Sequence, residues 1–157
     1  MKKLAVIIAA ATFALSAPLT VLAAEHGHGS MKMDHGKHGG DVAHEEVVEG
    51  VKATFKVMSM KEHMKAMKME MPKGMKETHH IAVEFKDAKS GKALTEGEVR
   101  VKVQSPDKSA QEKEMMGMQG HFGADFDMAK KGKYGVMAKF KPADGKVRSA
   151  KFWYEVK

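Results

Sequence analysis

The sequence predicts an all-β fold, a small immunoglobulin-like antiparallel β-sandwich. Six short runs alternate apolar with polar residues, the pattern of strands that bury one face. Turn residues punctuate these runs at 89–91, 105–107, 131–132 and 144–145, a spacing typical of a small sandwich. The expected strands are 51–57, 81–86, 99–104, 121–128, 133–140 and 152–156.

The N-terminal residues predict an export signal. Lys2 and Lys3 precede an apolar run at 4–15, and small residues follow at Ala23 and Ala24. That run is too short to span a bilayer as a helix. We therefore expect cleavage after Ala23 or after Ala24, a periplasmic or secreted protein, and no stable membrane insertion after cleavage.

Residues 24–45 are rich in histidine and glycine and lack an apolar period, so we expect a disordered, His-rich tail. A cut after Ala23 would make His26 the third residue of the mature chain. A free amine, two backbone amides and that imidazole form the square-planar nitrogen set that Cu(II) and Ni(II) prefer. A cut after Ala24 would destroy this set.

The expected organisation has three parts. They are a signal peptide at 1–23, a flexible His/Met-rich tail at 24–45, and a β-sandwich domain at 46–157 with a Met-rich insertion at 58–75.

The composition favours metal binding and narrows the metal. The chain has 15 methionines and nine histidines but no cysteine. Thioether sulfur is a soft ligand for Cu(I) or silver, and imidazole binds both oxidation states of copper. The missing thiolates argue against structural zinc sites, iron–sulfur clusters and ordinary blue-copper centres. The formal charge of +7 could indicate binding to nucleic acid. Two observations argue against that: the protein is expected to be exported, and an aromatic content of 6% leaves few side chains for stacking on bases.

The Met-rich insertion is the first candidate site. It carries seven of the 15 methionines between the first two predicted strands and contains no Leu, Ile or Val. Ser59 is a plausible N-cap for one or two helical turns. Either His63 with Met67, or Met60 and Met64 with Met67, would then share a helical face. The alternative interpretation is a methionine packing face.

Met115, Met116, Met118 and His121 form a second candidate cluster, with Met116, Met118 and His121 as its expected ligands. Glycines around them predict a bend or bulge where side chains converge. An equally weighted alternative is that Met116 and Met118 pack against the end of the sandwich core.

His79 and His80 form a third candidate at the start of a strand. Adjacent strand residues point to opposite faces, so only one of them can readily serve a given site. Parity with Ile81 and Val83 predicts that His79 faces inward and that His80 projects outward beside Glu84.

The second half of the chain resembles the YtkA-like small exported β-sandwich domains. The resemblance covers residues 78–157 and is carried by the stretches 120–123, GHFG, and 131–134, KGKY. It implies a copper-associated envelope protein in which His79, His80, Met118 and His121 are the positions of interest. The insertion and the tail depart from that family's pattern, so their roles rest on ligand chemistry.

These observations predict a periplasmic copper-binding protein, acting as a carrier, buffer or resistance factor. Cu(I) would bind the folded domain and Cu(II) the tail, with silver or nickel as alternative metals. The expected partners are the metal ion and another envelope metal-transport protein, and no catalytic motif indicates an enzyme. The alternatives are an interaction module with a Met-rich adaptable surface and a methionine-based oxidant sink.

Overall fold

The computed structural model describes residues 40–157 and confirms the predicted all-β sandwich. The elements of this region are β1 (Asp41–Val48), β2 (Val51–Ser59), α1 (Met60–Ala66), β3 (His79–Asp87), β4 (Gly97–Gln104), β5 (Ala110–Glu114), β6 (Met116–Met118), β7 (His121–Phe126), β8 (Gly132–Pro142) and β9 (Arg148–Val156). A five-stranded sheet has the order β1-β2-β3-β7-β6, and a four-stranded sheet has the order β5-β4-β8-β9. We call them the first and the second sheet.

The core lies between the two sheets and follows the alternation of the sequence. The first sheet contributes Phe55 and Val83, and the second contributes Val101 and Val136, all fully buried. Tyr134 is buried as well, and its hydroxyl donates a hydrogen bond of 2.8 Å to the carbonyl of Lys130. Burial of alternate residues from both sheets supplies the main driving force for this fold.

Three strands lie outside the predicted set. β1 begins five residues before the expected domain start at 46, inside the stretch expected to belong to the tail. It pairs with β2 along its length and contains a bulge between Val42 and His44. β5 and β6 also form, and β6 and β7 make a hairpin closed by Gln119 and Gly120, both at positive φ. The expected glycine-rich bend is therefore a tight hairpin turn.

The helix α1 begins where the sequence predicts it. Ser59 caps it with a reciprocal pair of hydrogen bonds: its Oγ accepts from the Glu62 amide at 3.2 Å, and its own amide donates to the Glu62 carboxylate at 3.1 Å. The Met60 amide also donates to the carbonyl of Thr78 at 2.7 Å. These contacts hold the start of the helix beside the start of β3.

A buried arginine links two turns, one from each sheet, at the end of the sandwich away from α1. Arg148 is 5% exposed, donates to the carbonyl of Glu49 in the β1–β2 turn and pairs with the Asp144 carboxylate in the β8–β9 turn at 2.7 Å. The guanidinium holds the pKa of Asp144 down at about 2. In the described region no helix has the length and apolar character needed to span a membrane.

Candidate metal centre

The helix α1 covers part of the outer face of the first sheet, the face turned away from the core. Met60, His63 and Met64 form its buried side. Beneath that side, Met58 of β2 and His80 of β3 are register partners, and they are 2% and 1% exposed. A sheet face that would otherwise meet water therefore becomes a second, smaller buried layer rich in sulfur and imidazole.

Asp125 of β7 orients the His80 ring. The two residues are register partners, and Nδ1 of His80 lies 2.6 Å from Oδ1 of Asp125. The hydrogen bond from His80 lowers the pKa of Asp125, so the carboxylate is ionised and acts as the acceptor. Nδ1 of His80 is therefore the donor, and in the neutral ring Nε2 carries the lone pair. A carboxylate behind an imidazole in this way is the arrangement that supports histidine ligands of metals.

The His80 ring packs directly against Gly123, where any other residue would place a side chain. A Cβ on Gly123 would lie 2.7 Å from Nε2 of His80 and 2.9 Å from the methyl group of Met118. The imidazole and the thioether side chain thus meet above the same point of β7. Within residues 40–157, this buried Nε2 has no hydrogen-bond partner. Such an atom costs free energy unless it binds something, and the lone pair of an imidazole nitrogen is able to bind a metal ion.

His63 brings a second imidazole from the helix. Its ring stacks on that of His80 with centroids 3.8 Å apart and planes 7° from parallel, and His63 is 6% exposed. One ligand atom from each of His63, His80 and Asp125 lies within 4.8 Å of the other two. The helix and two strands therefore converge on one small polar site.

His79 lies on the inner side of the same strand, where parity placed it. It is half-buried, with the Tyr154 ring edge-on at 6.3 Å, and burial lowers its pKa. Its Nδ1 lies 2.9 Å from the hydroxyl of Thr78, which already accepts the amide of Met128. The Thr78 hydroxyl can thus donate to Nδ1, which leaves the hydrogen of the neutral ring on Nε2. Adjacent histidines are therefore held in opposite tautomers, and His80 is the one whose Nε2 carries the lone pair.

Parity also placed His80 on the outer face beside Glu84, and His80 does lie on that face, although it is not exposed there. The residue is almost completely buried because α1 folds back over it. Alternation assigns a face and carries no information on what covers that face.

Of the other predicted ligands, the structure buries some and leaves others exposed. Met60 and Met64 are buried on the helix, while Met67, expected on the same face, is the C-cap residue and 45% exposed. His121 is buried and pairs with Met118 across the hairpin, whereas Met116 on the same face is 73% exposed. His26 and the rest of the tail before residue 40 lie outside the described residues.

The sequence analysis did not name Asp125 among the candidate site residues. One signal could have found it: Asp125 shares its face with His121 and Gly123 by strand parity. The pairing of β3 with β7 was needed to bring it opposite His80.

No protein-family model matches the chain, and no curated protein matches it. Two of the similar solved structures, those with a TM-score of 0.53, show the same fold at low identity. A DUF4426 family protein from Pseudomonas aeruginosa is 12% identical, with a TM-score of 0.53 over 72% of this chain and 93% of that one. A copper-bound variant of Campylobacter jejuni P19 is also 12% identical, with a TM-score of 0.53 over 73% and 95% of the two chains. The PmoD soluble domain from a Methylocystis species is 10% identical, with a TM-score of 0.42 over 72% and 96%.

Proposed function

We propose that this protein is an exported copper-binding protein of the bacterial envelope, acting as a carrier, buffer or resistance factor. Cu(I) is held by Nε2 of His80 and the sulfur of Met118, with His63 as the second imidazole. Asp125 positions His80, and the protein binds its metal without catalysing a reaction.

The observation that carries this proposal is the buried Nε2 of His80 above Gly123. It is oriented by a carboxylate, it lies beside a thioether side chain, and no group in residues 40–157 forms a hydrogen bond with it. A mixed imidazole and thioether set suits Cu(I) better than zinc, since zinc sites seldom use thioether sulfur. Silver(I) shares this preference and is the natural competitor. The copper-bound P19 variant, which has the same fold, adds support.

The tail supplies a second, separate role in this proposal. If the signal peptide is cleaved after Ala23, the new N-terminus and His26 capture Cu(II), with nickel as a competitor. Reduction would be needed before that copper could enter the His80 site, so the two sites differ in oxidation state. A His26→Ala variant should lose Cu(II) affinity and keep Cu(I) affinity.

Two neighbouring substitutions test the main site. His80→Gln removes the proposed ligand, and His79→Gln makes the same change one residue away on the opposite face. We expect His80→Gln to weaken Cu(I) binding on the order of 100-fold or more, since even the partners of metal ligands contribute about 10- to 100-fold. His79→Gln should change the affinity by less than about threefold.

The measurement is a competition titration of the mature protein against a chromogenic Cu(I) chelator. Circular dichroism verifies that both variants fold. Equal affinity in the two variants and in the unmodified protein would refute the site. Loss of Cu(I) binding in both folded variants would contradict the assignment of His80, rather than His79, as the ligand.

A further inference from the structure

The helix α1 and the loop that follows it carry a concentrated positive charge. Residues 60–76 contain five lysines and two glutamates. The lysines are all exposed, and none forms an ion pair within the described residues; they are Lys61, Lys65, Lys68, Lys73 and Lys76. One of the two glutamates, Glu62, is engaged in the helix cap.

The same segment exposes three methionines. Met67, Met69 and Met71 are 45%, 55% and 46% exposed. The chain turns back at Lys68, whose φ is 54°, and the amide of Met69 donates to the carbonyl of Met64 at 2.9 Å. These thioethers therefore follow directly on the helix whose inner side carries His63. Exposed methionines are adaptable contact residues and also soft ligands.

The outer side of the β4–β5 pair in the second sheet has a different charge pattern. There, basic and acidic residues alternate across β4 and β5: Arg100 lies opposite Glu114 and within 3.7 Å of Glu112, and Lys102 lies opposite Glu112. On this strand pair the opposite charges face one another, whereas residues 60–76 present lysine and methionine with little acid. We name residues 60–76 the lysine–methionine surface.

We propose that the lysine–methionine surface docks an acidic envelope protein that exchanges Cu(I) with this one. This inference rests on the proposed function. An acidic partner complements the five lysines and is steered towards the helix, which raises the rate of encounter. The exposed thioethers bind Cu(I) transiently, so the ion passes by ligand exchange from the partner through sulfur to His63 and His80. The oxidation state of the ion does not change.

Two synthetic Cu(I) donors test the charge requirement. Both peptides contain the same four methionines, and their spacer residues are glutamate in one and lysine in the other. Stopped-flow mixing with the mature protein gives the transfer rate at low and high salt. We expect the acidic donor to be faster by about 10-fold or more at low salt and the difference to shrink as salt rises.

Two matched triple variants test the location. Lys61→Glu, Lys65→Glu and Lys68→Glu reverse the proposed surface, and Lys139→Glu, Lys141→Glu and Lys151→Glu make the same net change on the second sheet. The first triple should slow transfer from the acidic donor by about 10-fold or more, and the second by less than about threefold. Neither should change the equilibrium Cu(I) affinity or the circular dichroism spectrum.

The outcomes are distinct. Equal slowing in both triples, or rates indifferent to salt, overturns the docking surface and leaves the metal site standing. Binding to phosphatidylglycerol vesicles that the first triple alone abolishes, with unchanged transfer rates, makes a membrane the occupant and also overturns it. Failure of the unmodified protein to bind Cu(I) overturns this inference together with the proposed function.

Discussion

The outer faces of the two sheets begin from the same alternating pattern and end in opposite environments. On the first sheet, Met58 and His80 lie beneath α1 and are no more than 2% exposed. On the second sheet, Trp153 lies over Gly135 and remains 61% exposed, with Lys151 5.5 Å from its ring. Within residues 40–157, the histidine and carboxylate groups close enough to share a metal ion lie on the covered face; they belong to His63, His80 and Asp125.

The difference comes from the connections between strands. The β2–β3 connection spans residues 60–78 and carries a helix with a buried side, whereas the β8–β9 connection at 143–147 is a short turn. Covering a sheet face removes water from it, so a donor atom there gains more from binding a metal than it would in solvent. The comparison therefore predicts that substitutions beneath α1 have large effects and that matched substitutions on the open face have small ones.

The largest expected effect on stability is at Met60, which is 1% exposed between the helix and the sheet. Met60→Ala should destabilise the fold by about 2–5 kcal/mol, because it leaves a cavity in a packed layer. Met60→Leu keeps the volume and should cost less than about 1.5 kcal/mol. Urea unfolding with a common m-value measures both.

The matched control for Met60 is Met137, half-exposed on the outer face of the second sheet. Met137→Ala should cost within about 0.5 kcal/mol, as surface substitutions usually do. A similar cost at both methionines would show that α1 does not bury its side of the sheet.

A smaller effect is expected at Gly123, where an added Cβ would lie 2.7 Å from the His80 ring. Gly123→Ala should cost about 1–3 kcal/mol by overpacking, and it should weaken Cu(I) binding because the new methyl group would displace the His80 ring. Differential scanning calorimetry and the chelator titration measure the two consequences.

Gly135 provides the comparison on the open face. A Cβ there would lie 3.2 Å from the Trp153 ring, which is exposed and free to shift. Gly135→Ala should therefore change stability little and leave Cu(I) binding unaltered. Retention of full Cu(I) affinity in Gly123→Ala would contradict the placement of the metal.

The smallest expected effect concerns Asp144, at the turn that Arg148 ties to the first sheet. Its pKa is held at about 2 by the Arg148 guanidinium, below the value near 3.9 of an unfolded chain. A lowered carboxyl pKa stabilises the fold above about pH 4, and this contribution is lost as the pH falls towards 2. Asp144→Asn should lower stability slightly above pH 4 and flatten its decline in acid.

Acid unfolding between pH 5 and pH 2, followed by circular dichroism, measures that prediction. Because Asp144 lies at the turn joined to Glu49 rather than beneath α1, the variant should bind Cu(I) normally. An unchanged acid profile would mean that the Arg148 pair does not contribute to folding.

Strand alternation predicted the central strands because their residue types distinguish the side that faces the core from the side that faces solvent. Val51 to Val57 and Tyr134 to Phe140 alternate strictly, and both segments are strands in the structure. β1 and β5 escaped prediction since edge strands bury little and their sequences are mostly polar; Val42 and Val47 are 55% and 59% exposed. Such strands form by pairing with a neighbour rather than by hydrophobic pattern.

The sequence identified most of the residues in the candidate site, but it did not predict which of them come into contact. His63, His80 and Met118 were all named from ligand chemistry, and Ser59 marked the helix start. Met67 failed to join them because the helix ends at Ala66, before the expected stripe is complete. Asp125 was overlooked since an acidic residue on a polar strand resembles a solvated one until its partner is known.

The sequence by itself determined the alternation that builds two sheets, the helix cap at Ser59, and the supply of soft ligands without thiolate. These are local properties, set by residue type and by spacing over a few positions. Only the tertiary structure decided that His80 is buried, that Asp125 orients it and that Met118 shares its space above Gly123. Those contacts join positions up to 45 residues apart, and the folding of α1 over the first sheet brings them together out of water.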